Sequence, residues 1–174
     1  MITVFGAQGT ITDVDMFLSK LLGISKDKDV VVQAFDAQVI YGSDHLLSAT
    51  QHAQRAFYQK TNATNSLLLE IILYAAGERQ IHKALKKVGV KKGKQHLAFV
   101  LIIERKKNQK EKPYETIIDS ILRSFHFTRN DKVLEGDKDT LKRFGITDQE
   151  ICTIPESKYG DLILEKIAMV DVIK

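Results

Sequence analysis

NSLLLEIILYAAGERQIHKALKKVGV, residues 65–90, spells two helices separated by a glycine. From Leu67 to Ala76 the side chains are apolar almost all round, the mark of a helix buried on every side. Asn65 or Ser66 is placed to cap its start, and Gly77 can take the left-handed backbone conformation that closes it. A second helix follows at once and ends at Gly89. Its apolar residues Ile81, Ala84, Leu85 and Val88 fall at i, i+3, i+4 and i+7. Arg79, Lys83, Lys86 and Lys87 fall on the opposite side, within about a third of the circumference at roughly 100° per residue. One helix is therefore core, and the next is apolar on one face and cationic on the other.

Outward from this pair, the chain alternates strand and helix signals. Downstream, Gln95 to Ile103 is a continuous apolar run, as expected of a central strand covered on both faces. Pro113 suits a first helical position, and Tyr114, Ile117, Ile118, Ile121, Leu122 and Phe125 give the strictest helical period in the chain. Phe127 to Gly136 reads as turn. A short helix follows at residues 139–144, and a last, heavily apolar helix from Gly160 to Val170, with Val172 and Ile173 as an extended tail. Upstream, Ile2 to Phe5 is a short strand and Gly6-Ala7-Gln8-Gly9 a turn. Thr12 caps a helix that Gly23 ends. Val30 to Phe35 is a second strand, Ala37 to Ile40 a short extended piece, and Ser43 caps a helix running to Gln59. These elements predict an α+β fold in which one small mixed β-sheet is packed by several helices, a single domain over residues 1–174.

The chain has 174 residues, 44% hydrophobic and 28% charged, which excludes a disordered chain. The longest apolar run, Leu97 to Ile103, is far short of the ~18 residues that span a bilayer, so no membrane association is expected. The first residues lack the basic and apolar regions of a secretory signal, and one cysteine, Cys152, forbids an internal disulfide. The simplest compartment is the cytoplasm. Charge is segregated. Residues 79–112 hold twelve Lys and Arg against Glu104 and Glu111, a local charge of +10, and the remainder of the chain is at −6. Such a field suits a polyanion.

Catalytic patterns are missing. Gly89-Val90-Lys91-Lys92-Gly93-Lys94-Gln95 is one residue short of a phosphate-binding loop, has Gln95 where Ser or Thr must hold magnesium, and precedes a strand rather than a helix. His45 and His52 share a helix face without a third ligand. Cys152 has no activating partner nearby and reads as a small buried side chain. Glu70 is either a buried acid with work to do or a cap near its helix start. No cofactor, metal site or catalytic residue is expected.

Residues 65–90 closely resemble the central signature of the small regulatory subunit of the KEOPS (EKC) complex, the PRPK-binding protein family. The shared features are an Asn/Ser-rich entry, the apolar Leu69-Glu70-x-Ile72-Leu73-Tyr74 helix, Gly77-x-Arg79-Gln80-Ile81, and the Ala84…Lys86-Lys87-x-Gly89 helix. Residues 35–57 and 159–168 resemble further helices of the family, whereas nothing is carried over from Arg105 to Pro155, which includes the basic loop Arg105–Lys112. The resemblance implies a non-catalytic subunit that binds a small atypical protein kinase and the single-stranded 3′ end of tRNA, in an assembly that makes threonylcarbamoyl-adenosine. On that reading Lys60, Arg79, Lys83 and Lys87 are phosphate contacts, and Asn65 and Gln80 read the unpaired end. Ile163, Ile167 and Val170 are expected to form an apolar kinase-binding patch. Two rival readings are a kinase-binding allosteric regulator without RNA contact and an enzyme acting on small phosphorylated substrates.

Overall fold

The computed structural model describes residues 1–103 and 114–173. Its sheet contains β1 (Ile2–Ile11), β2 (Val31–Asp36), β3 (Gly93–Ile102) and β4 (Thr128–Arg129) in the order β2-β3-β1-β4. The pairings are antiparallel throughout, so the sheet is not mixed. The reason is topological. The helix α1 (Val14–Lys28) carries the chain from β1 to a parallel β2, but β3 inserts between the two and runs against both. β1 and β3 pair over ten residues, from Ile2↔Ile102 to Ile11↔Gly93.

Because side chains alternate along a strand, β1 and β3 feed two cores. Phe5, Phe99 and Leu101 face α1 and α5 (Tyr114–Phe125). Ala98, Val100 and Ile102 face the larger cluster. That cluster gathers α2 (Gly42–Gln59), α3 (Leu67–Ala76), α4 (Ile81–Val88), α6 (Lys138–Phe144), α7 (Asp148–Cys152) and α8 (Tyr159–Val172). Among the described residues no helix is long and apolar enough to cross a membrane.

Several boundaries differ from the sequence expectation. β1 runs straight through Gly6 to Gly9, which is strand and not turn. The cap of α1 is Asp13, whose carboxylate accepts from the Met16 N–H at 2.8 Å, rather than Thr12. Gly23 sits on the exposed side of α1 without ending it, and the left-handed Asp29 closes the helix instead. Ala37–Val39 is a 3₁₀ turn, not an extended piece, and Tyr41, not Ser43, stands at the start of α2. The supposed turn after Phe127 contains β4 and a 3₁₀ turn at Asp131–Leu134. α8 extends to Val172, so the expected extended tail is helical at that residue. Pro113 and the basic loop at 105–112 lie outside the described residues.

Candidate functional site

α3 has Ser66 at its N-cap, and Gly77 closes it at φ 63° with its N–H donating to Leu73 and Tyr74 carbonyls. Residues 71–76 are buried without exception, as an all-apolar helix requires. Glu78, Arg79 and Gln80 form a separate turn before α4 begins at Ile81, so Arg79 is outside the helix that it was expected to open.

The six residues expected to contact RNA divide into two sets. Lys60 and Asn65 precede α3, and Arg79, Gln80, Lys83 and Lys87 follow it. Ten helical residues, about 15 Å of rise, lie between the sets. Arg79, Gln80 and Lys83 are brought together at the entrance of α4, all exposed. Gln80 is the N-cap of α4 and makes no side-chain cap bond. Lys60 ends α2 in a left-handed conformation at φ 57° and is exposed, as is Asn65.

Lys87 does not join the exposed set. Its Nζ donates to the Ala76 carbonyl at 2.7 Å and lies 3.7 Å from the Phe144 ring centroid. Burial and the Lys166 charge lower its pKa, and Glu78, 4.0 Å away, acts against them. Lys87 closes the C-terminal end of α3, where a cation is favoured. Lys86 takes its place on the surface. Arg79, Lys83, Lys86, Lys92 and Lys94 are exposed and make no ion pair among the described residues, whereas Lys91 pairs with Asp36 at 2.9 Å.

The connector between α2 and α3 is held by Glu70. This buried carboxylate accepts from the Ala63 N–H at 3.1 Å, the Thr64 N–H at 2.9 Å and the Thr64 hydroxyl at 2.9 Å. Of its two expected roles it performs the cap, for the loop that carries Asn65. His45 is buried as well. Its Nδ1 accepts from the Tyr41 N–H at 3.1 Å, so Nε2 carries the proton and donates to the Ala75 carbonyl at 2.7 Å. His52 is instead drawn to Asp171 at 2.9 Å, beside Arg55, and the Tyr74 hydroxyl donates to the same carboxylate. This cluster ties the end of α8 to α2 and α3. The sequence hid it, because Asp171 is distant along the chain. Among the described residues no group of three or more His, Cys, Asp or Glu is placed to hold a metal ion.

Ile163, Ile167 and Val170 do not form a surface patch. They are buried in the larger core, because α8 packs on α2 and α3 and its apolar side is used there. The exposed apolar residues of that helix end are Met169, Val172 and Ile173. Cys152, expected to be buried, is exposed. Leu85, counted in the apolar stripe of α4, is 44% exposed.

The model of the kinase-binding protein CGI-121 family matches residues 10–171. A protein of Methanocaldococcus jannaschii named Regulatory protein Cgi121 is 32% identical over 147 residues, covering 82% of this chain and 84% of that protein. The family match takes in the helices packed on both sides of the sheet and the whole α3–α4 corner, the segment whose motif suggested the same family, and only the last two residues of β1. The chain belongs to the CGI-121 family of kinase-binding proteins.

Proposed function

We propose that this chain is a non-catalytic, cytoplasmic subunit of a KEOPS-type complex that binds the complex's protein kinase and the 3′ end of tRNA, in support of threonylcarbamoyl-adenosine formation. The kinase half follows the family. The RNA half rests chiefly on one observation, the cluster of exposed cations at the entrance of α4 and the turn before β3 that make no ion pair among the described residues. The first N–H groups of α4 receive no bond from the Gln80 side chain, and with the helix dipole they favour a phosphate between Arg79 and Lys83. Lys60 and Asn65 lie at the other end of α3, so a single-stranded segment must span several nucleotides to touch both sets. Lys87 holds α3 and α4 in place and is not itself a phosphate contact.

The deciding experiment is binding of tRNA with and without its 3′-terminal CCA to the purified chain, at several salt concentrations. Preference for the intact end, with affinity falling steeply with salt, supports the reading. Equal binding of both RNAs sinks the 3′-end assignment and leaves the kinase-binding regulator as the better account.

A further inference from the structure

α2 and the connector behind it have a distinctive composition. Between Asp44 and Glu70 the chain holds no acidic residue, although outside residues 79–112 the protein is acidic overall. Glu70 itself is buried and turned onto the Ala63 and Thr64 N–H groups. The end of this stretch is rich in amides and carries Arg55 and Lys60. Tyr58 stands among them, in the last turn of α2, at 90% exposure, more than any other tyrosine or phenylalanine among the described residues. Its hydroxyl makes no hydrogen bond and its ring stacks on no other ring among the described residues.

A single exposed tyrosine means little, but the setting of this one is specific. The backbone beside it is fixed. The Lys60 N–H donates to the Phe57 carbonyl at 3.2 Å and the Thr61 N–H to the Ala56 carbonyl at 2.9 Å, which close the helix with Lys60 in its left-handed conformation. Beyond that closure, Asn62 Nδ2 donates to the Thr64 carbonyl at 2.8 Å, and Glu70 holds the same loop. The ring, the Lys60 cation and the exposed Asn65 are thus mounted on one preorganised corner. Asp171 approaches this side of α2 from α8, and it is engaged by Tyr74, His52 and Arg55. Lys60 makes no ion pair among the described residues.

The same setting separates two kinds of partner. The centre of a protein interface is a contiguous apolar patch, whereas the exposed neighbours of Tyr58 on its own helix are Gln51, Arg55 and Gln59, all polar. A nucleobase needs one π face to stack on, amides for its edges and a cation for the adjoining phosphate. A surface without free carboxylates also spares that phosphate like-charge repulsion. We propose that Tyr58 is a stacking platform for an unpaired base of the RNA whose phosphates meet Lys60 and the entrance of α4. The proposal rests on the RNA reading above and deepens it, giving the α2 end of the surface the base contact and the α4 end the phosphate contacts.

The test is tRNA binding to the full chain by wild type and three variants, Tyr58→Ala, Tyr58→Phe and Tyr58→Trp, each confirmed as folded by thermal melting. Tyr58→Ala is expected to weaken tRNA binding about tenfold with the salt slope unchanged, and Tyr58→Phe to bind within about twofold of wild type, because stacking needs the ring and not the hydroxyl. The protein contains no tryptophan, so Tyr58→Trp adds a unique fluorophore at the platform. Its emission is expected to be quenched on saturation with intact tRNA. If the wild-type chain binds no tRNA, the RNA reading falls and takes the stacking proposal with it. If wild type binds tRNA and Tyr58→Ala binds equally well, or the Tyr58→Trp emission is unchanged at saturation, stacking at Tyr58 is overturned while the RNA reading stands. A loss in Tyr58→Ala that Tyr58→Phe shares in full also overturns stacking. Weaker binding of the purified kinase by Tyr58→Ala, with tRNA binding intact, overturns the choice of occupant.

Discussion

The His45 ring lies between the Tyr41 N–H and the Ala75 carbonyl, and only the neutral ring satisfies both, since a proton on Nδ1 would face a donor. Burial is the largest cause that lowers its pKa, to about 4, and the Lys87 charge adds to it, while the bond to Ala75 works the other way. In the unfolded chain the ring titrates near ~6.5. The unfolded state therefore binds the extra proton first as the pH falls, so the stability tied to this ring is complete above about pH 6.5 and is lost between there and about pH 4, some 3 kcal/mol in all. Urea midpoints measured across that window should fall for wild type and stay flatter for His45→Gln. Glu150, held at about 2 by Lys166 and the Thr147 N–H, loses its stabilising charge only below the ordinary carboxylate range, so its effect falls at lower pH. Lys87 is the other residue whose role comes from burial. Lys87→Met should cost about 1–2 kcal/mol, as the bond to Ala76 and the contact with Phe144 are lost. A Tm unchanged from wild type would contradict this. Neither role was legible beforehand, because the partners Ala75 and Phe144 are neighbours only in the fold.

Helices with a clear period were legible as elements: α2 ends at Gln59 as expected, α3 closes at Gly77, and α5 buries Ile117, Ile118, Ile121 and Leu122. What misled was glycine. Gly6 and Gly9 resemble a turn, yet both lie in mid-strand, because a side chain at Gly6 would collide with the Asn130 carbonyl and one at Gly9 with the Phe127 ring. Their smallness serves contacts with residues far along the chain, and local pattern carries no trace of that. Gly9→Ala should accordingly cost about 1–3 kcal/mol by overpacking. Phe127→Leu should be less harmful in that background than in wild type, and strict additivity in a double-mutant cycle would count against the contact. Gly77 behaves as a true helix stop. An added Cβ there meets Lys166 and Phe144 only at ordinary contact distance, 3.5 Å, so Gly77→Ala should cost only the left-handed backbone penalty of about 1 kcal/mol. A melting temperature equal to or above wild type would argue against that conformation.

Across the whole molecule the charge asymmetry was visible in composition, but which cations are available was not. The sequence alone put Lys83 and Lys87 on one cationic face, and either would then contribute equally to binding a polyanion. In the structure Lys83 and Lys86 are exposed, while Lys87 is turned inward against α3 and Phe144. Each phosphate neutralised on a single strand contributes roughly 0.7 to the slope of log affinity against log salt. Replacing Lys83 and Lys86 by Ala should therefore flatten the slope for tRNA by about 1.4 and weaken all tRNAs alike. Replacing Lys83 and Lys87 should flatten it by only about half as much, while lowering the melting temperature. Asn65→Ala and Gln80→Ala remove hydrogen-bonding groups without charge, and should reduce the preference for an intact 3′ end with little change in slope. If the Lys83/Lys87 pair flattens the slope as much as the Lys83/Lys86 pair, then Lys87 leaves Ala76 to meet RNA, and the basic surface is the one the sequence first suggested rather than the one that packing leaves exposed.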